Sequence, residues 1–77
     1  MLVIESIHQE KDFITCSCLK EGEESKRFSL IIDANSLEII ANSDGESSFY
    51  SRQALMKIYT LLKDNPVLPS SAVSYTH

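Results

Sequence analysis

A loop that cradles phosphate groups needs several glycines close together. This chain of 77 residues has only two, Gly22 and Gly45, which excludes a glycine-rich nucleotide loop. Cysteine is equally scarce. Two thiols, Cys16 and Cys18, do not staple a small secreted domain, which normally carries several disulfides, and the expected location is cytoplasmic. The sequence has neither the basic start nor the long apolar run of a signal peptide, and no stretch approaches the ~20 apolar residues that cross a bilayer, so no membrane partner is expected. Basic residues are in the minority: 7 Lys and Arg against 11 Asp and Glu give a formal net charge of -4. Such a field repels phosphate, and no nucleic-acid partner is expected. The one tight acidic cluster, Glu21-Gly22-Glu23-Glu24, reads as a solvated loop.

The residue types that carry chemistry are present without the spacing that chemistry needs. Cys16 and Cys18 stand two apart on a predicted strand, with their side chains on one side and roughly 7 Å apart. That is poor for a disulfide, and Cys-x-Cys is not the Cys-x-x-Cys of redox and zinc sites. A zinc site would have to recruit both histidines, His8 at a hairpin end and His77 at the last position. No Gly-x-Ser-x-Gly surrounds any of the serines. Asp33 and Asn35 resemble the start of a calcium loop, but Leu37 falls where another oxygen ligand is required. The aromatics are not interleaved with basic residues as a base-stacking platform requires. Ser74-Tyr75-Thr76-His77 lacks the apolar last residue that many carboxylate-capturing grooves take. No catalytic residue, metal ligand or cofactor site is predicted, and the chain is not expected to be an enzyme.

What is there is a β-hairpin, and the rest of the chain is arranged about it. Residues 28–33, Phe-Ser-Leu-Ile-Ile-Asp, and 37–41, Leu-Glu-Ile-Ile-Ala, flank a polar corner at Ala34-Asn35-Ser36. Pairing Ile32 with Leu37, Leu30 with Ile39 and Phe28 with Ala41 places six apolar side chains on one face. Upstream, residues 2–8 and 12–19 are β-rich, with a turn at Gln9-Glu10-Lys11. Extending the register sets Cys18 opposite Phe28, Cys16 opposite Leu30 and Ile14 opposite Ile32, with Leu2 and Ile4 beside Cys18 and Cys16. Residues 42–48, containing Asp44-Gly45, form a loop. From 51 to 63 the apolar residues Ala54, Leu55, Ile58, Leu61 and Leu62 recur at helical spacing. Ser51 is the expected N-cap, Tyr50 its hydrophobic staple, and Arg52, Gln53, Lys57, Thr60 and Lys63 the solvent side. Asp64-Asn65-Pro66 ends the helix.

These elements predict an α+β fold: a four-stranded antiparallel meander with one C-terminal helix packed on one face (β-β-β-β-α). Residues 1–66 make a single domain and 67–77 a C-terminal tail, for which disorder and an added edge strand through Val73 and Tyr75 are the two readings. At this size the core supplies only a few kcal/mol, which favours a partner. The alternation also assigns Val3, Ile7, Phe13, Leu19, Ile31 and Ile40 to the sheet face away from the helix, where polar residues are the norm. The expected function is a small intracellular protein-interaction module or accessory subunit. It self-associates as an isologous homodimer through Val3, Ile7, Phe13, Ile31 and Ile40. The alternative is a small-molecule-binding domain with a pocket between helix and sheet, near Phe49, Tyr50 and Tyr59.

Overall fold

A computed structural model describes residues 1–45 and 49–75 of the chain. Its strands are β1 (Leu2–Gln9), β2 (Phe13–Lys20), β3 (Arg27–Asp33), β4 (Ile39–Asn42) and β5 (Ala72–Ser74), with an α-helix, α1 (Phe49–Asp64), between the last two and a short 3-10 turn at Glu24–Lys26 before β3. They form a single antiparallel sheet in the order β4-β3-β2-β1-β5. The fold is the expected α+β arrangement, and the tail does add an edge strand, beside β1. The expected loop over 42–48 and the last two tail positions lie partly outside the described residues, namely 46–48 and 76–77.

The central hairpin of the sheet follows the predicted register: Cys18 pairs with Phe28, Cys16 with Leu30 and Ile14 with Ile32. On β1 the pairing is displaced by two residues. Ile4 lies opposite Cys18 and Leu2 opposite Lys20, and a shift of two leaves the face unchanged. Leu2, Ile4, Ile14, Cys16, Cys18, Phe28, Leu30 and Ile32 accordingly line one buried layer, closed by Ala54 and Ile58 of α1. Tyr50, Leu55, Leu61, Leu62 and Leu68 pack around its rim.

Two bulges correct the predicted alternation. Between Glu5 and His8, β1 carries one residue more than β2. Ser6 adopts φ 51 there, the left-handed conformation of a bulge whose usual occupant is glycine. The extra residue turns Ile7 inward, where it is only 8% exposed and belongs to the core. Ile7 is therefore not an outer-face residue. A second bulge lies between Ile31 and Ile32 and their partners on β4: Ile32 pairs with Ile39, but Ile31 pairs with Ala41 and Leu30 with Asn42. Ala41 thus shares the outer face with Ile31, and Asn42 faces the layer where Ala41 was expected. The proposed pairs Ile32–Leu37, Leu30–Ile39 and Phe28–Ala41 are all displaced.

The turn explains the displacement. Asp33 Oδ1 accepts hydrogen bonds from the backbone N–H groups of Asn35 and Ser36, both at 2.8 Å. The Leu37 N–H reaches back to the Asp33 carbonyl at 2.9 Å and Leu37 itself takes φ 60. One helical-type turn therefore occupies 34–37, and pairing resumes with Asp33 N–H bonded to the Glu38 carbonyl.

The helix starts two residues before the expected cap. Ser51 is within the first turn and fully buried rather than terminal. Gln53, expected in solvent, donates from Nε2 to the carbonyl and hydroxyl oxygens of Ser74, both at 3.1 Å, and so ties α1 to β5. Among the described residues no helix is long and apolar enough to cross a membrane.

Candidate functional site

On the sheet face away from α1, cross-strand neighbours fall into three bands. At one end Val73, Val3 and Leu19 lie side by side across β5, β1 and β2. Leu19 is buried there, with Val3 and Arg27 as its neighbours across the sheet. In the middle, Glu5, Ser17 and Ser29 form a polar row. At the far end stand His8, Thr15, Ile31 and Ala41, with Phe13 and Asp33 one pair beyond.

Arg27 spans the first two bands. Its guanidinium donates through Nε to Glu24 at 2.8 Å and through its terminal nitrogens to Glu24, Glu5 and the Ser17 hydroxyl. Glu24 chiefly, and Glu5 after it, hold Arg27 above its ordinary pKa, while Arg27 holds the Glu24 carboxyl below the usual carboxylate range. The predicted apolar patch is divided by this network. Val3 falls on one side with Leu19 and Val73. Phe13, Ile31 and Ile40 fall on the other and remain exposed, at 45%, 36% and 52%. Of the five residues predicted to form one surface, Phe13, Ile31 and Ile40 are exposed toward one end of the sheet, Val3 is at the other, and Ile7 is in the core.

The described part of the tail, to Tyr75, lies away from this patch. β5 adds on the other side of β1, Leu68 packs against the core, and Val67 and Tyr75 are exposed. The polar division was readable in principle: Glu24 precedes Arg27 by three, and the predicted register already put Arg27, Ser17 and Glu5 on one face. What sequence pattern lacks is the reach of a long guanidinium side chain across two strands.

Of the three aromatic residues near which a pocket between helix and sheet was expected, only Phe49 lines a groove. Tyr50 packs against the core and donates its hydroxyl to Glu21 at 3.0 Å, and Tyr59 lies 5.5 Å beneath the Lys63 ammonium. A shallow groove of about 530 Å³ instead runs along the outer side of α1 to the end of β5. Phe49 of the expected set lines it, joined by Arg52, Gln53, Met56, Lys57, Thr60 and Ser74.

Cys16 and Cys18 are both buried, with their sulfurs 3.9 Å apart beneath the helix. The contact with Cys16, together with burial, pushes the Cys18 thiol far above its ordinary value and keeps it protonated. His8 is exposed and paired with Glu10 at 2.6 Å. Among the described residues no group of three His, Cys, Asp or Glu side chains is placed to hold a metal ion. Compared with protein-family models, curated proteins and solved structures, the chain matches none of them.

Proposed function

We propose that this chain is a small cytoplasmic protein-interaction module, without catalytic activity, that self-associates as an isologous homodimer through the Phe13 end of its outer sheet face. The observation that carries the reading is the exposure of Phe13, Ile31 and Ile40 at one end of the sheet: Phe13 lies diagonal to Ile31 across β2 and β3, and Ile40 is the bulged residue of β4 next to Ala41, the partner of Ile31, clear of the Arg27 network. Polar residues would be expected on a sheet face that meets only water. A two-fold axis through the patch presents the same three side chains from both copies and shields each from water. Val3 and Ile7 have no part in this surface.

Phe13 supports a magnitude. A phenylalanine side chain contributes roughly 200 Å² of surface, so 45% exposure leaves about 90 Å² to bury per copy. Counted twice across the axis at ~25 cal/mol per Å², that is about 4 kcal/mol, or roughly a thousandfold in dimer affinity. Sedimentation equilibrium on the wild type and on Phe13→Asp tests it. The wild type should dimerise at micromolar concentration and the variant should remain a folded monomer. A wild type that stays monomeric into the millimolar range contradicts the proposal, as does a Phe13→Asp chain that dimerises equally well.

A further inference from the structure

A separate surface lies at the opposite edge of the sheet. β5 is three residues long, and among the described residues the side of it turned away from β1 has no strand partner. Edge strands of this kind expose backbone N–H and C=O groups that an extended peptide can pair with. Here the edge is flanked by a helix held at fixed distance, because Gln53 clamps the Ser74 carbonyl and hydroxyl. The outer side of α1, with Ser74 at the end of β5, lines the groove of about 530 Å³. Its apolar contribution comes from Phe49 and Met56, 65% and 62% exposed and about two helical turns apart.

Charge selects the occupant. The protein as a whole carries a net charge of -4, yet the ionisable residues lining the groove are Arg52 and Lys57. Among the described residues neither has an ion-pair partner, as is also true of Lys11 and Lys63, whereas Lys20, Lys26 and Arg27 are paired. A positive strip on an acidic protein attracts anionic groups and turns away basic ones.

We infer that the groove between β5 and α1 is a docking site for an extended acidic peptide segment of a partner protein, which adds a strand to β5 and sets its carboxylates against Arg52 and Lys57. The surface is independent of Phe13, Ile31 and Ile40, and the site can exist whether or not the protein dimerises.

The test is selection of a displayed library of random twelve-residue peptides against the wild type and against the Arg52→Glu/Lys57→Glu double variant, whose altered residues lie outside the core. Wild type should enrich peptides in which acidic and apolar residues alternate. The double variant should lose those peptides by at least tenfold in affinity. Amide hydrogens of residues 72–74 should exchange more slowly when a selected peptide, made synthetically, is bound. Absence of enrichment on the wild type overturns the inference. So does selection of the same peptides by the double variant, or slowed exchange in β4 with none in β5.

Discussion

Truncation of Ile7 and of Phe13 to alanine separates the two faces of the sheet and tests the β1 bulge directly. A strict alternation along β1 would put Ile7 on the outer face, with Val3 and Glu5. The extra residue between Glu5 and His8 turns it into the core instead, with 8% of its surface exposed. Removing its branched side chain leaves a cavity beside Cys16 and Ile14, and substitutions of this class cost about 2–5 kcal/mol. With a urea dependence of about 1 kcal/mol per molar for a domain this small, the midpoint of unfolding should fall by 2 M or more. Phe13 is 45% exposed, and its loss should move the monomer by about 1 kcal/mol or less. Association adds to apparent stability, so Ile7→Ala is best measured in the Phe13→Asp background, where dimerisation does not contribute. Urea unfolding followed by far-ultraviolet circular dichroism is sufficient. An Ile7→Ala effect below about 0.5 kcal/mol would place Ile7 at the surface and refute the bulge.

Ser6 holds a left-handed conformation at φ 51 that suits glycine better, so Ser6→Gly should raise the urea midpoint by up to about 1 kcal/mol equivalent, and Ser6→Val should lower it. Hydrogen bonds from the Ser36 and Asn35 amides hold the Asp33 carboxyl below its usual pKa. Its stabilisation is therefore complete above the unfolded value near 4 and is lost as pH falls through the lower folded value. Thermal melts between pH 6 and pH 2.5 should show a shallower acid limb for Asp33→Asn than for wild type. Cys16 and Cys18 should react with an aromatic disulfide reagent only as fast as the protein unfolds, with both thiols released together in urea. Gln53→Ala should speed amide exchange at residues 72–74 while leaving β2 and β3 unchanged, because the Gln53 amide joins α1 to Ser74.

The β2–β3 hairpin was legible because period-two alternation is unbroken along both Phe13–Leu19 and Arg27–Asp33, and every pair from Ile14–Ile32 to Cys18–Phe28 follows from it. The helix was legible from the spacing of Ala54, Leu55, Ile58, Leu61 and Leu62. Its start was not. Ser51 has the residue type of a cap but occupies a buried place in the first turn, where a small side chain lets the helix approach the sheet. The bulges escaped because each depends on one residue in an unexpected backbone state. Ser6 takes a glycine-like φ, and the second bulge follows a turn that the Asp33 carboxylate lengthens. A single inserted residue reverses every later side chain, so the errors fell on Ile7, Ala41 and Asn42 and spared the hairpin between them. Phe13 and Ile31 keep the face that the alternation assigned them for the same reason. Phe13 and Ile31 belong to the regular register, and Ile40 stands in the bulge opposite Ile31.

Isotope-filtered NMR on a mixture of labelled and unlabelled chains measures whether two copies meet at the proposed surface. Cross-peaks between the Phe13 ring of one copy and the Ile31 and Ile40 methyl groups of the other are the predicted result. Intermolecular cross-peaks confined to other residues, or none at all at millimolar concentration, would contradict it.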